Sequence, residues 1–335
     1  MRKKFFYALR IVVFLLVGFL LLWLVLRHQD LHEVSSILKR ADLKWAVLSL
    51  IAAVLSNVFR SWRWIMLIRP LGFQPKFANV FGGLMIGYLA NLAGLRLGEI
   101  SRCAVLRQYE NIPVSKSFGT VVAERVVDMI CIFILLFVVL MFEFGKLSGF
   151  ANENIFNPMG RKIQQLLSQG TLFYVILFLI AAALIGIIYA ALRWLRDSRH
   201  FERVRNIVRG FRDGLRSIGS LHHKGWFVFH TMMIWFMYFV MTYVCFFSFS
   251  ETSGLGMMAG LSVMVMGGFG FVAPVPGGLG AFEFMVTGTL LTFGMDMTTG
   301  NAFSLYLHAL QVLGIMLLSA ISFIMLPLHN IKKRP

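Results

Sequence analysis

Acidic residues are scarce in this 335-residue chain: 15 Asp and Glu stand against 32 Lys and Arg, and charged residues of both signs make up only 14%. Soluble domains typically carry about 25% charged and about 45–50% apolar residues, whereas here the apolar share is 58% and the mean hydropathy +0.77. The shortage excludes a water-soluble globular protein. Cysteine is scarce too. Cys103, Cys131 and Cys245 lie far apart, in or beside apolar segments, so they make neither a disulfide framework nor a metal-ligand spacing. Long polar stretches are absent, the longest being about thirty residues, too short to fold as a soluble catalytic domain. The chain carries no RNP, helix-turn-helix or zinc-finger signature, so its net charge of +17 is no footprint of nucleic acid. Without a Walker-type loop, direct use of ATP is not expected.

What remains is an excess of apolar runs. Windows of about 20 apolar residues place helices near 9–26, 44–66, 117–142, 171–192, 226–249 and 302–326. Shorter apolar segments lie near 77–93, 256–273 and 281–294. The chain is therefore read as an all-α polytopic membrane protein with about six full transmembrane helices plus re-entrant or broken helical hairpins, in one integral membrane domain over 1–335. The opening Met1-Arg-Lys-Lys and the run from Leu9 to Leu26 resemble a signal peptide. The run is too long for its apolar region and lacks a small-residue cleavage site, so it is expected to stay as a signal-anchor helix.

Basic residues set the expected orientation. Arg2, Lys3, Lys4 and Arg10 put the N-terminus in the cytoplasm; Lys332, Lys333 and Arg334 do the same for the C-terminus. The loop 193–224 is the most basic of all and must be cytoplasmic. Its arginines alternate at helical spacing with Phe201, Val204, Ile207, Val208, Phe211 and Leu215, the pattern either of an amphipathic helix on an anionic leaflet or of a loop that only sets topology. If 77–93 crossed fully, this loop would fall outside; a re-entrant hairpin over 77–109 removes the conflict. The segment 256–294, interrupted by Pro274–Gly280, is a second broken segment that either spans or re-enters. Interrupted helices in the two halves hint at an inverted repeat around a midplane site.

Charges inside apolar segments mark the candidate site, because an ionised group at membrane depth must pair or face water. Arg96, Glu99 and Arg102 recur every three residues and share one side of any helix that starts after Gly94. Glu124 and Asp128 share a face, with Arg125 within reach of Asp128. These charges read either as a clamp that pairs Arg96 or Arg102 and holds the hairpin, or as the lining of a headgroup cavity. Asn57 and Arg60 lie deep enough in the second helix to join them. Arg63, with Trp62 and Trp64, reads instead as an interfacial anchor that snorkels to water. Glu283 falls in the first turn of a helix starting near Gly280, where the dipole favours a carboxylate; it is free to pair with an arginine of the first hairpin or to carry a proton. His308 and Gln311 are read mainly as helix-to-helix hydrogen-bonding residues, and the Met257–Met266 run as flexible packing. His222 and His223 have no carboxylate or thiolate companion, so no metal and no cofactor is expected.

Four signatures occur in order: Asn57…Arg60-x-x-Arg63-Trp64; Arg96-x-Gly98-Glu99-x-x-Arg102; Glu124-Arg125-x-x-Asp128; and Pro274-x-Pro276-Gly277-Gly278-x-Gly280-x-x-Glu283. Together they resemble the flippase-like integral membrane domain of lysylphosphatidylglycerol synthases, a family that includes stand-alone proteins without the soluble synthase domain. One departure is Gly94-Leu95 before Arg96, where the family usually has a proline and a small residue. The resemblance implies a non-enzymatic lipid flippase or transporter of the bacterial cytoplasmic (inner) membrane. Its cargo would be an anionic lipid, aminoacylated phosphatidylglycerol or a polyprenyl-linked sugar, held by Arg96 and Arg102 with Glu99, Glu124 and Asp128 as their counter-charges. The alternative is a non-catalytic partner or assembly factor for a lipid- or envelope-modifying enzyme. The 30 glycines fit homo-oligomer contacts and tight packing within one chain equally.

Overall fold

The computed structural model of the protein describes residues 36–37, 39–93, 97–151, 157, 219, 221, 223–273 and 275–330. Among them all regular structure is helical. The helices expected near 9–26 and 171–192, most of the basic loop 193–224, Arg96 and Pro274 lie outside the described residues.

Helix α1 (Leu43–Ile68) begins where the Asp42 carboxylate accepts the Lys44 amide at 3.0 Å, satisfying a donor the first turn leaves free. It ends before Pro70, which has no amide to donate, and Gly72 takes φ +87° to turn the chain. Helices α2 (Phe77–Ala93) and α3 (Gly98–Glu110) follow, and Asn111 at φ 56° closes α3 before Pro113. Next come α4 (Val114–Ala151) and α5 (Lys224–Tyr243), then α6 (Met257–Val272), α7 (Ala281–Thr292) and α8 (Met297–Asn330). Among the described residues, four stretches are long and apolar enough to cross a membrane: Leu43–Leu71, Val114–Glu143, Lys224–Ser248 and Met297–Asn330. They match the windows read from sequence at 44–66, 117–142, 226–249 and 302–326. Met129, Phe133, Ile134, Phe137 and Met141 on α4 stand more than half exposed, as a lipid-facing side requires.

The three shorter apolar segments fold as arms of two helical hairpins. Helix α2 has 17 residues and α3 has 13, about 26 and 20 Å at 1.5 Å per residue and less than the ~30 Å of a hydrocarbon core. They run antiparallel. Glu110 at the end of α3 accepts from the Lys76 amide and from Asn79 at the start of α2, at 2.9 and 2.6 Å. At the closed end the Asn91 side chain accepts the Gly98 amide at 2.7 Å. Helices α6 and α7, of 16 and 12 residues, make the second hairpin, with Gly267 and Gly270 against Phe282. Its tip, Val275–Gly280, turns on three glycines of positive φ: Gly277, Gly278 and Gly280.

Helix α8 carries both hairpins at opposite ends. Near its start, Thr287 of α7 donates to Asn301 and Ser304 at 3.0 and 3.1 Å. Toward its end, Ser319 donates to the Met85 carbonyl at 2.8 Å and Asn330 exchanges amide hydrogen bonds with Asn79. The tips therefore approach each other along α8, and Leu92 of the first packs on Gly277 of the second. The order long helix, hairpin, long helix occurs twice, as α1 to α4 and as α5 to α8. Helix α5 lies antiparallel on α1, Ser49 donating to the Met241 carbonyl at 2.9 Å. One end of the bundle consequently gathers Arg69, Lys76, Arg107, Lys116 and Lys224 with Glu110, and the other Lys39, Arg40 and Lys44 with Asp42, Glu251 and Asp296.

The first hairpin depends on bare backbone contact. A Cβ on Gly98 would overlap the Gly87 carbonyl and reach the Asn91 side chain at 2.6 Å. Gly98→Ala should cost about 2–3 kcal/mol through overpacking and lower the thermal midpoint of the purified protein. Gly254→Ala, with open space around it, should leave that midpoint nearly unchanged.

Candidate functional site

The charged residues of α1, α3 and α4 meet in one cluster. Trp64 hydrogen-bonds Thr120, and Arg60 and Arg63 reach Glu124 and Asp128, so α1 and α4 are in register along their buried sides. Arg60 bridges both carboxylates, at 3.0 Å to Glu124 Oε1 and 3.0 Å to Asp128 Oδ2. Arg63 lies 2.6 Å from Asp128 Oδ1 and 3.5 Å from Glu124 Oε1, and its other terminal nitrogen donates to Thr231 of α5 at 3.4 Å. Arg102 comes from α3 to Glu124 Oε2 at 3.2 Å. Arg125 spans Glu99 at 3.6 Å and Asp128 at 3.9 Å. The Glu124 side chain has no exposed surface and Arg60, Arg63 and Arg102 almost none. Desolvation on this scale costs several kcal/mol per ion unless each is paired.

The pairing is nearly complete, and the exception is informative. Four guanidinium groups meet three carboxylates in this cluster, one positive charge in excess. Arg102 is stacked on the Trp64 ring at 4.7 Å and spends Nη1 on Glu124. Its Nε and Nη2 are buried without a hydrogen-bond partner among the described residues. These two nitrogens form one edge of the planar group, with parallel N–H bonds that match a carboxylate or phosphate. Arg102 lines a narrow crevice with Leu84, Gly87, Tyr88, Asn91, Gly98, Glu99 and Arg125, without room for a water molecule.

Several sequence expectations change here. Arg63 is no snorkelling anchor but a fully buried clamp, and Trp64 is buried as well; only Trp62 is exposed as an interfacial residue would be. Arg63 sits one helical turn beyond Arg60, and that spacing was the available signal. Asn57 turns back on its own helix, donating to the Ala53 carbonyl at 2.8 Å, and makes no ion-cluster bond. Glu99 holds Arg125 rather than Arg102. Glu99 and Arg102 both lie on α3, which starts at Gly98; the face expected of Arg96 lies outside the described residues.

Glu283 belongs to a second polar centre. Its Oε2 accepts the Gly280 amide at 2.7 Å and its Oε1 lies 2.6 Å from His308 Nδ1. Among the described residues its charged partner is this histidine, not an arginine of the first hairpin. His308 Nε2 reaches the Gly277 carbonyl at 2.9 Å. The histidine does make the helix-to-helix bond expected of it. Among the described residues no group of His, Cys, Asp and Glu is arranged to hold a metal ion.

Fold and site together define a multi-pass membrane protein with an ionic centre and a titratable centre buried among its helices. The chain belongs to the family described as "Lysylphosphatidylglycerol synthase TM region", whose profile matches residues 8–319. It is 30% identical over 131 residues to a UPF0104 membrane protein of Methanocaldococcus jannaschii, covering 38% of this chain and 39% of that protein. It is 32% identical over 123 residues to the glycosyltransferase AglD of Haloferax volcanii, 36% of this chain and 20% of that protein. A UPF0104 membrane protein of Pyrococcus horikoshii is 26% identical over 120 residues, 35% of this chain and 36% of that protein. These matches span about two-fifths or less of each relative. By family, the protein is a lipid-related membrane protein.

Removing the central carboxylate should expose the cost of the cluster. Glu124→Gln leaves Arg102 without the carboxylate it pairs with among the described residues, and a loss of about 3–5 kcal/mol is expected. It should appear as a lowered thermal midpoint and a lower yield of folded protein. Arg125→Gln, at a side chain 39% exposed, should cost about 1 kcal/mol or less in the same measurement.

Proposed function

We propose that the protein is a non-enzymatic lipid flippase or transporter that takes an anionic phospholipid or polyprenyl-linked headgroup at Arg102. The observation that carries this reading is the Nε/Nη2 edge of a buried, carboxylate-anchored arginine, which has no hydrogen-bond partner among the described residues and belongs to a side chain that lines a crevice. A phosphate oxygen pair would complete that edge, and its charge would cancel the excess cation of the cluster. The acyl chains would stay in the bilayer along the exposed side of α4. Asn57 and Arg96 stand in this proposal as further polar groups that an open cleft would present to the headgroup.

In this reading the two hairpins are re-entrant from opposite faces of a cytoplasmic membrane. The bundle end that carries Arg69, Lys76, Arg107, Lys116 and Lys224 faces the cytoplasm by the positive-inside rule, as do both termini. The base of the first hairpin lies there, and the base of the second lies outside. Short helices are tolerated at membrane depth only where their ends are covered by protein or open on a polar cavity, and the facing tips on α8 supply that cover. A second reading, a partner or assembly factor for a lipid-modifying enzyme, is favoured by the pairing of both terminal nitrogens of Arg60 and of Arg63, which suits a purely structural cluster.

Native mass spectrometry of gently purified protein separates the two. The wild type should retain one anionic lipid class, and Arg102→Gln should retain at least about tenfold less of it, as expected for loss of a charge-assisted pair of hydrogen bonds. The double variant Arg96→Gln/Arg102→Gln should lose it further, and neither variant should alter unfolding temperature as much as Glu124→Gln does. The same loose lipid mixture on wild type and folded variants would assign the arginines to scaffolding and support the partner reading.

A further inference from the structure

We infer that Glu283 and His308 form a proton-binding latch that holds the tip of the second hairpin closed and lets it go when one proton leaves. The inference concerns the latch alone and does not depend on which lipid, or whether any lipid, is carried.

The argument is a count of protons. His308 has two ring nitrogens, and each faces an oxygen: Nδ1 faces Glu283 Oε1 at 2.6 Å and Nε2 faces the Gly277 carbonyl at 2.9 Å. A carbonyl oxygen only accepts, so Nε2 must carry a proton. The short Nδ1 contact then needs a second proton, on the ring as imidazolium or on Glu283 as carboxylic acid. Both placements give the same hydrogen bonds and a net charge of zero. When one proton passes from the pair to water, a carboxylate and a neutral imidazole remain, with net charge −1. The neutral ring has a single N–H for two acceptors. Either the Glu283 contact or the Gly277 contact must then fail, and whichever oxygen faces the bare nitrogen is repelled.

The geometry converts that loss into movement of one particular segment. The pair grips both sides of the tip: His308 holds the Gly277 carbonyl, and Glu283 holds the Gly280 amide. Between these hooks, Gly277, Gly278 and Gly280 all have positive φ, a backbone that glycine adopts without side-chain strain and can leave as readily. Gly277 is also where the tip touches Leu92 of the first hairpin, whose arms line the Arg102 cleft. Release at Gly277 therefore loosens the seam between the two hairpins.

The pair is shielded from rapid exchange. Glu283 and His308 are buried, and the rings of Phe271 from α6 and Phe282 from α7 lie 5.5 and 4.9 Å from the imidazole. Among the described residues, the groups in contact with the pair are Phe271, Phe282, Gly277 and Gly280, none of which titrates. Among the described residues no other charged side chain forms an ion pair with either member.

Hydrogen–deuterium exchange of the full-length purified protein, read on peptides covering 275–284 and corrected for the intrinsic pH dependence of exchange, tests the latch. In wild type these amides should lose about tenfold or more of their protection between about pH 5 and about pH 9, while peptides of α1 and α4 stay protected. Glu283→Gln mimics the protonated acid: its amide donates to Nδ1 and its carbonyl accepts from Gly280, so protection should persist at every pH. His308→Ala removes the hook and should leave the tip unprotected throughout. A wild-type tip equally protected across this range, or a folded Glu283→Gln protein that keeps the wild-type pH profile, overturns the inference. Should Glu283→Gln not fold, His308→Gln decides: the wild-type pH profile surviving unchanged without the imidazole has the same overturning force.

Discussion

A carboxylate with no exposed surface, Glu124, is the constraint on which the first half of the molecule is built. In a bilayer such a group is tolerated only if counter-charges reach it, and they come from two other helices: Arg60 and Arg63 on α1 and Arg102 on α3. Apolar side chains can slide past one another at little cost, but an ion pair cannot. The cluster therefore fixes the register of α1 against α4 and the depth to which the first hairpin is inserted. Thr231 on α5 and the Trp64 ring complete the enclosure, so one anion organises four helices.

The second half is organised by a group of different chemistry. Arginine stays charged under all physiological conditions, so the ionic centre is a permanent structure with one edge left over. Glu283 and His308 share a short contact whose proton can sit on either partner, so the centre at the second tip is held by hydrogen bonds rather than by permanent charge. A fixed anion-seeking edge in one hairpin and a titratable contact in the other are complementary parts, and the meeting of the two tips places them on either side of a single seam.

Much of this was legible in the sequence. The apolar windows match the four long helices, and the conflict between the basic loops and a full crossing at 77–93 points to a hairpin there. Local relations were readable as well: Glu283 in the first turn after Gly280 is an i to i+3 contact, and it is present. What was not legible was pairing across the chain. The string Arg60-Ser61-Trp62-Arg63-Trp64 reads the same for an interfacial anchor as for a buried clamp; only the approach of α4, 64 residues away from Arg60 at Glu124, decides between them. For the same reason His308 could be seen to want a partner but not to have Glu283. Periodicity says which residues share a face and is silent about what that face meets.

The contact between Gly87 and Gly98 has a consequence for how such a protein can move. Where two helices touch through interdigitated side chains, rotamer changes let one ride over the other. Where they touch through bare backbone, nothing is left to rearrange, and the arms of the first hairpin behave as one stiff lever with its fulcrum at the Asn79–Asn330 pair. Whatever strain reaches that lever is not absorbed along its length but delivered at its far end, where a single leucine rests on a glycine.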